Sequence, residues 1–176
     1  DGWIKTRDRG LLIDPFEATD VYRVVTEWLQ ARTDLPIWWS EVHVADPSWS
    51  LELQDAVTTT ALLKMAQAGV DTALLWSPQE DALGCAGCLW TDPAHGPVVA
   101  TPLSETVAVW SACAPVGSRW ADVRSHQPER LVAAATSEGV LVVNRSGDDL
   151  TFSLDEVEHP LAVDGVAAVG DGACQR

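Results

Sequence analysis

The sequence predicts an α/β segment followed by an all-β segment. In the first 113 residues, stretches with helical periodicity alternate with two short apolar runs, at residues 36–42 and 70–76. This alternation indicates parallel strands joined by helical crossovers. After Cys113 the helical periodicity disappears, and short strand-like runs alternate with turn signals. We therefore expect two domains, residues 1–113 and residues 114–176.

The first predicted helix has a clear start signal. Asp14 is suited to the N-cap, Pro15 to the first helical position, and Glu17 lies three residues after the cap. The apolar residues that follow have the spacing of a one-sided helix: Val21, Val24, Val25, Trp28 and Leu29. The helix should end near Asp34.

The rest of the α/β segment reads as a strand, a helix, a second strand, a long loop and a third helix, at residues 36–42, 51–68, 70–76, 77–100 and 102–113. Both strands are apolar throughout, which is typical of strands buried on two faces. Gly69 suits the end of the second helix, and Thr101 the cap of the third.

The final segment contains five strand-like runs, WADVRS, RLVAAATS, GVLVVNR, DLTFSL and the tail from Leu161 to Val169. They predict a small antiparallel β-sandwich. The clearest hairpin covers residues 139–154, with its turn at residues 144–149. Asn144 also begins a glycosylation sequon, although its position in a predicted turn favours a structural role.

Composition and charge exclude several partners. The chain is 47% hydrophobic, enough for a substantial core, and its net charge is −15. Nucleic acids and anionic membranes both require basic surfaces, so neither is expected as a partner. No apolar run is long enough for a transmembrane helix, and no signal peptide is visible. Because the chain starts at Asp1 without methionine, we expect a processed or excised piece.

The four cysteines, Cys85, Cys88, Cys113 and Cys174, fit two disulfides in an exported protein. Free thiols and a metal site are the alternatives, but a zinc site would need a second close pair, and His95 is a poor substitute at its spacing. We expect the pairs Cys85–Cys88 and Cys113–Cys174, and no metal.

The predicted chemistry lies at the ends of the two apolar strands, where parallel α/β sheets carry their sites. Strand periodicity places Ile37, Trp39, Glu41 and His43 on one face. A carboxylate among indoles is costly unless it is paired or used. Trp76 ends the next strand, and a carboxylate beside an indole suits sugar hydrolysis, with attack by the carboxylate and stacking by the ring.

Residues 36–113 resemble the last third of a (β/α)8 barrel from the large clan of retaining glycoside hydrolases, similar to families 39 and 5. The resemblance rests on PIWWSEV ending in Glu41, on ALLWS with Trp76, and on ATPLSETVAVWSA as the final barrel helix. Many members also carry a C-terminal β-sandwich with a run like GVLVVNRS. The resemblance implies the C-terminal part of a TIM barrel followed by a small antiparallel β-sandwich.

The resemblance implies that Glu41 is the nucleophile and Trp76 the stacking platform. Weaker substrate-binding candidates are His43, Trp39, Gln79 and Trp90, because they lie on or just after the strand ends. His43 could equally be a structural histidine, and Trp38 and Trp49 are expected to be packing residues. No cofactor is implied. The expected partner is a carbohydrate substrate, and the expected location is extracellular.

The resemblance also implies a second carboxylic acid about 5 Å from the nucleophile, on an earlier barrel strand. A barrel needs about 250 residues, and only two of its strands are recognisable here. The segment at residues 1–14 is interpreted as the loop after strand six. We therefore expect the acid/base in a missing N-terminal portion of the same enzyme, which would be a further partner. A non-catalytic carbohydrate-binding module and a structural remnant are the alternatives.

Overall fold

The computed structural model describes residues 14–76, 78–80, 84–94 and 96–176, with residue 122 described by its backbone alone. The predicted strand-six loop at residues 1–14 lies outside this part except for Asp14, and so does His95. The contacts divide the chain into two compact units, residues 1–104 and 105–176. The division falls inside the third predicted helix, whereas the sequence placed it after that helix.

The first unit begins with two short consecutive helices, α1 (Pro15–Ala18) and α2 (Asp20–Gln30). Asp14 caps α1 as predicted, because its Oδ1 accepts hydrogen bonds from the N–H groups of Phe16 (2.7 Å) and Glu17 (3.1 Å). Thr19 separates the two helices. The single helix that was expected to run to Asp34 is therefore interrupted near its start and ends at Gln30.

The predicted buried face of α2 is only partly buried. Val21, Val24 and Trp28 are each more than half exposed. The side chains that reach the core lie on the adjacent face, where Tyr22 packs against a hydrophobic cluster and Thr26 is fully buried. The regular apolar spacing identified the helix correctly, but it did not identify which face packs inward.

Two parallel strands form the sheet of this unit, β1 (Trp38–Val42) and β2 (Thr72–Leu75). The helix between them, α3 (Leu51–Gln67), is the predicted crossover, and Gly69 follows it with a positive φ of 80°. One face of the sheet packs against the helices through a cluster of Val42, Ala61 and Met65. The βαβ unit is thus observed, whereas a closed barrel stays a prediction.

Helix α3 is buried on nearly every side, unlike α2. Three consecutive threonines, Thr58, Thr59 and Thr60, lie in its buried middle. The Thr60 hydroxyl donates to the carbonyl of Ala56 (2.8 Å), and the Thr59 hydroxyl to the carboxylate of Asp55 (3.1 Å). These bonds to the preceding turn satisfy two of the three buried hydroxyls, whereas the Thr58 hydroxyl has no hydrogen-bond partner among the described residues.

The third predicted helix is observed with its predicted bounds as α4 (Pro102–Cys113). Thr101 precedes it, and its hydroxyl accepts a hydrogen bond from the N–H of Ser104 (3.4 Å). Its last residue, Cys113, forms a disulfide with Cys174 in the second unit.

The second unit contains six strands among its described residues: β3 (Ala121–Asp122), β4 (Leu131–Ala135), β5 (Gly139–Asn144), β6 (Leu150–Leu154), β7 (Val157–Leu161) and β8 (Val166–Gly170). An antiparallel sheet has the order β3-β4-β5-β8, and β6 and β7 form a separate antiparallel hairpin. Val142 and Ala167 of the sheet pack against Phe152 and Leu161 of the hairpin. The unit is therefore a two-layer antiparallel β-sandwich, as predicted.

The predicted hairpin at residues 139–154 is wrong. Its two strands, β5 and β6, belong to different layers, so residues 145–149 cross from one layer to the other. Asn144 is fully buried at this crossing, and its amide donates to the carbonyls of Asp148 (2.7 Å) and Ala162 (2.8 Å). Because this amide is buried and bonded, Asn144 has the structural role that its position favoured, and the sequon is not accessible.

Candidate functional site

The predicted site residues lie in the first unit, around the carboxyl ends of β1 and β2. The N–H of Trp76 donates to the carbonyl of Val42 (3.0 Å), so the chain leaves both strands at the same edge. Glu41 precedes Val42 on β1, and Trp76 directly follows β2. The structure thus brings Glu41 and Trp76 to neighbouring strand ends, as the sequence predicted.

A β-bulge interrupts β1 just before this edge. Trp39 pairs with Ala73 and Val42 with Leu75, so three steps along β1 match two steps along β2. One extra residue in β1 reverses the alternation of its side chains. Trp39 and Val42 consequently pack on the same, helix-covered side. The prediction that Ile37, Trp39, Glu41 and His43 share one face is therefore wrong.

Glu41 is exposed, although Val42 beside it is 1% exposed. Its carboxylate has no hydrogen bond or ion pair with any residue in the described ranges. The expected burial of a charge among indoles is not observed. Glu41 therefore does not carry the free-energy cost of an unpaired buried carboxylate. What remains is an exposed carboxylate at the end of a parallel strand, without a partner in the part of the chain that the structure describes.

Two of the tryptophans have contacts or exposure that the sequence did not predict, while substrate binding by Trp39 stays a prediction. Trp39 was a substrate-binding candidate, but its indole N–H donates to the Thr26 hydroxyl (3.0 Å) and its ring packs edge-on against Tyr22 (4.9 Å between centroids). Trp38 was expected to be a packing residue, yet it is 67% exposed. The bulge explains why Trp39 and Glu41 lie on different faces of the sheet. Trp38 lies on the face that the helices leave uncovered.

Trp76 is 53% exposed, so much of its indole surface is available to solvent. Leu74 on β2, the strand that Trp76 follows, is also half exposed. With Trp38, these side chains make one sheet face apolar and accessible. An exposed indole and an exposed carboxylate therefore lie at the ends of adjacent strands, and a sugar site there stays a prediction.

His43 is held by a loop. Its Nε2 lies 2.9 Å from the carbonyl oxygen of Ala86. A carbonyl only accepts, so this nitrogen carries the proton. The loop itself is fixed by the Cys85–Cys88 disulfide and by a hydrogen bond from the Gly87 N–H to the side-chain oxygen of Gln54 (2.7 Å). His43 therefore has a defined ring orientation, and a structural contribution is evident.

Gln79 and Trp90 are brought together by a short parallel bridge after β2. Trp90 is bridged on its other side to Ala100. The amide of Gln79 donates to Asp92 (3.4 Å), and the carboxylate of Glu80 accepts from the Asp92 N–H (3.0 Å). These contacts shape the loop between β2 and α4, and sequence reasoning had not identified Asp92 as part of it.

Both predicted disulfides, Cys85–Cys88 and Cys113–Cys174, are formed. Two disulfides are typical of proteins from oxidising compartments. Within the described ranges, no group of histidine, cysteine, aspartate or glutamate side chains is arranged to hold a metal ion. In the same ranges, no helix is long and apolar enough to cross a bilayer.

Comparison of the chain with protein-family models and with curated proteins finds no match.

Proposed function

We propose that this chain supplies the nucleophile and a sugar-stacking platform of a retaining glycoside hydrolase. The observation that carries the proposal is the position of Glu41 and Trp76 at the ends of adjacent parallel strands, with the Trp76 N–H bonded to the Val42 carbonyl at 3.0 Å. An exposed carboxylate and an exposed indole at one sheet edge provide the attacking group and the flat surface that a pyranose or furanose ring requires.

In this mechanism the Glu41 carboxylate attacks the anomeric carbon. The bond from that carbon to the leaving oxygen breaks, and the oxygen takes a proton from a carboxylic acid. Water then attacks the glycosyl ester, the same acid/base removes its proton, and Glu41 is released with the anomeric configuration retained. Trp76 stacks on the apolar face of the sugar throughout. No metal or redox cofactor takes part in these steps.

The proposal places the acid/base on further strand–helix units, which are the N-terminal part of the same enzyme. Two features support such units. Trp38 and Leu74 leave an apolar sheet face exposed, and Val21, Val24 and Trp28 leave an apolar stripe on α2 exposed. Additional strands and helices of a (β/α)8 barrel would cover both surfaces. Export of the enzyme agrees with its two disulfides.

The first prediction concerns Glu41 in the complete enzyme. Glu41→Gln should lower kcat by about 10³-fold or more, because the amide cannot form the glycosyl ester. Glu27→Gln is the matched control, since Glu27 is an exposed glutamate on α2. A panel of 2-deoxy-2-fluoroglycosides with good leaving groups should label the peptide that contains Glu41, as detected by mass spectrometry. Unchanged turnover in Glu41→Gln would refute the assignment.

A carbohydrate-binding role without catalysis is the second candidate, favoured by the exposed ring of Trp76. It predicts that the complete protein binds oligosaccharides without hydrolysing them, and that Glu41→Gln leaves the affinity unchanged. Trp76→Ala should abolish binding in both cases. Hydrolysis by the parent protein therefore separates the two candidates.

A further inference from the structure

A cavity of about 440 Å³ opens between the two layers of the β-sandwich. Its floor is aliphatic and comes from both layers: Leu131, Val140 and Val142 from the sheet, and Leu150 and Leu154 from β6. This volume is in the range of small-molecule sites. A floor of this kind favours a ligand with an apolar body.

The rim of the cavity carries two guanidinium groups. Arg124, His126 and Arg130 line it. Arg130 donates to the side-chain oxygen of Gln127 (3.3 Å), whereas the Arg124 guanidinium has no hydrogen-bond or ion-pair partner in the described part of the chain. The rim is held in shape because the Gln127 N–H donates to the Ser125 hydroxyl (2.9 Å) and the Gln127 carbonyl accepts from the Arg130 N–H (2.9 Å).

This concentration of positive charge is unusual in a chain with a net charge of −15. Among the described lining residues the one carboxylate is that of Asp149, and it accepts a hydrogen bond from the Val163 N–H (2.8 Å). Neither rim guanidinium is within ion-pair distance of a described carboxylate. A guanidinium without a carboxylate partner is a ready site for a planar anion, because its N–H groups match the two oxygens of a carboxylate.

The aromatic content of the lining argues against a sugar. Among the described residues, no tryptophan or tyrosine lines the cavity. Phe152 is only 8% exposed, and its ring is stacked on that of His159 (5.1 Å between centroids). An aliphatic floor with a cationic rim complements an amphipathic anion.

We propose that this cavity binds a small organic anion with an aliphatic body, of the medium-chain carboxylate class. The carboxylate contacts Arg124 and Arg130, and the hydrocarbon chain lies on the aliphatic floor. The site is distinct from the strand ends of the first unit, and the proposal does not depend on glycosidase activity.

Titration of the full chain with straight-chain carboxylates tests the proposal. Affinity should rise about fourfold for each buried methylene from butyrate to octanoate, since each contributes about 0.8 kcal/mol. Backbone amides of Thr151 and Ser153, which line the cavity, should shift in NMR spectra. Equal affinity for acetate and octanoate would overturn the proposal, and so would the absence of octanoate binding.

The charge requirement is tested separately. Arg124→Gln and Arg130→Gln should each weaken octanoate binding by about 5- to 10-fold. Arg119→Gln is the matched control, because Arg119 is an exposed arginine of the same unit outside the cavity lining, and it should leave the affinity unchanged. Binding of 1-octanol as tight as that of octanoate, or an equal loss in Arg119→Gln, would contradict the assignment.

Discussion

Tyr22 is the single tyrosine of the chain, which makes it a spectroscopic reporter of the first unit. Its ring contacts Trp39 and the cluster under β1. Burial raises the pKa of this phenol to about 12, because the phenolate would lose its hydration. The pKa of Tyr22 therefore reports whether α2 is packed against the core of the first unit.

The absorbance of the phenolate should titrate with a midpoint near pH 12 in the folded protein and near pH 10 in denaturant. Because the pKa is raised, ionisation of Tyr22 leaves stability unchanged below about pH 10. Between about pH 10 and pH 12 the unfolded chain ionises first, so stability falls. Tyr22→Phe should remove this component of the pH dependence, whereas a folded-state midpoint near pH 10 would contradict the burial.

Glu41 illustrates what the sequence can predict at the scale of a residue. The strand that carries Glu41 was correctly predicted to pair with the strand that Trp76 follows, so both residues lie at the same sheet edge. The face and the burial of Glu41 were not predicted correctly, because the alternation of side chains along a strand holds only where the register is uninterrupted. The bulge between Trp39 and Val42 depends on pairing with β2, which no local pattern in residues 36–42 encodes.

At the scale of elements, the β6–β7 hairpin shows why one turn was missed. Asp155 and Glu156 occupy its turn, and both have a positive φ, 50° and 67°. Such turns normally use Asn-Gly or Asp-Gly, so the sequence carries no strong signal there. The Ser-Gly-Asp-Asp run after Asn144 looks more like a hairpin turn, yet it connects two layers.

Replacing Glu156 by glycine should stabilise the hairpin. Glycine adopts the left-handed region without the steric cost of a Cβ, so Glu156→Gly should raise the free energy of unfolding by about 1 kcal/mol. Glu158→Gly is the control, because Glu158 pairs with Ser153 in regular antiparallel strands, where glycine is destabilising. Denaturant unfolding should show opposite signs for the two variants. A loss of stability in Glu156→Gly would contradict the turn conformation.

In helix α2 the helical conformation was predictable from the sequence, but the buried face was not. Its period was predictable from local sequence, since the spacing of Val21, Val24 and Trp28 is typical of a helix, and the Asp14 cap that was predicted for it belongs to α1. Which face is buried depends on neighbours. Tyr22 and Thr26 point to α3 and β1, while the apolar stripe stays exposed. An exposed stripe of this kind is the element-scale basis for proposing further strand–helix units.

At the scale of the whole molecule, each compact unit contains one disulfide. Cys85–Cys88 fixes the loop that holds His43, and Cys113–Cys174 connects the end of α4 to the C-terminal tail. The pairing could be expected from the sequence because two cysteines lie three residues apart and leave one other pair. The close packing around the Cys113–Cys174 bridge could not be predicted from the sequence. A Cβ on Gly139 would lie 2.6 Å from the Cys174 sulfur, so this strand position requires glycine.

The two bridges should differ in their effect on stability because they close loops of different length. The paired cysteines are 61 residues apart in Cys113–Cys174 and three apart in Cys85–Cys88. By loop entropy, the double variant Cys113→Ala/Cys174→Ala should lose about 4 kcal/mol and Cys85→Ala/Cys88→Ala about 2 kcal/mol.

Hydrogen exchange with mass spectrometry measures these losses within each unit. Removing the long-range bridge should raise exchange in peptides from β4, β5 and β8, because the tail that carries Cys174 pairs back onto β8 through the Arg176 N–H and the Ala168 carbonyl (3.0 Å). Removing the short bridge should raise exchange at Ala86 and Gly87. A larger loss from the short bridge than from the long one would show that loop contacts to His43 and Gln54, rather than chain entropy, dominate its contribution.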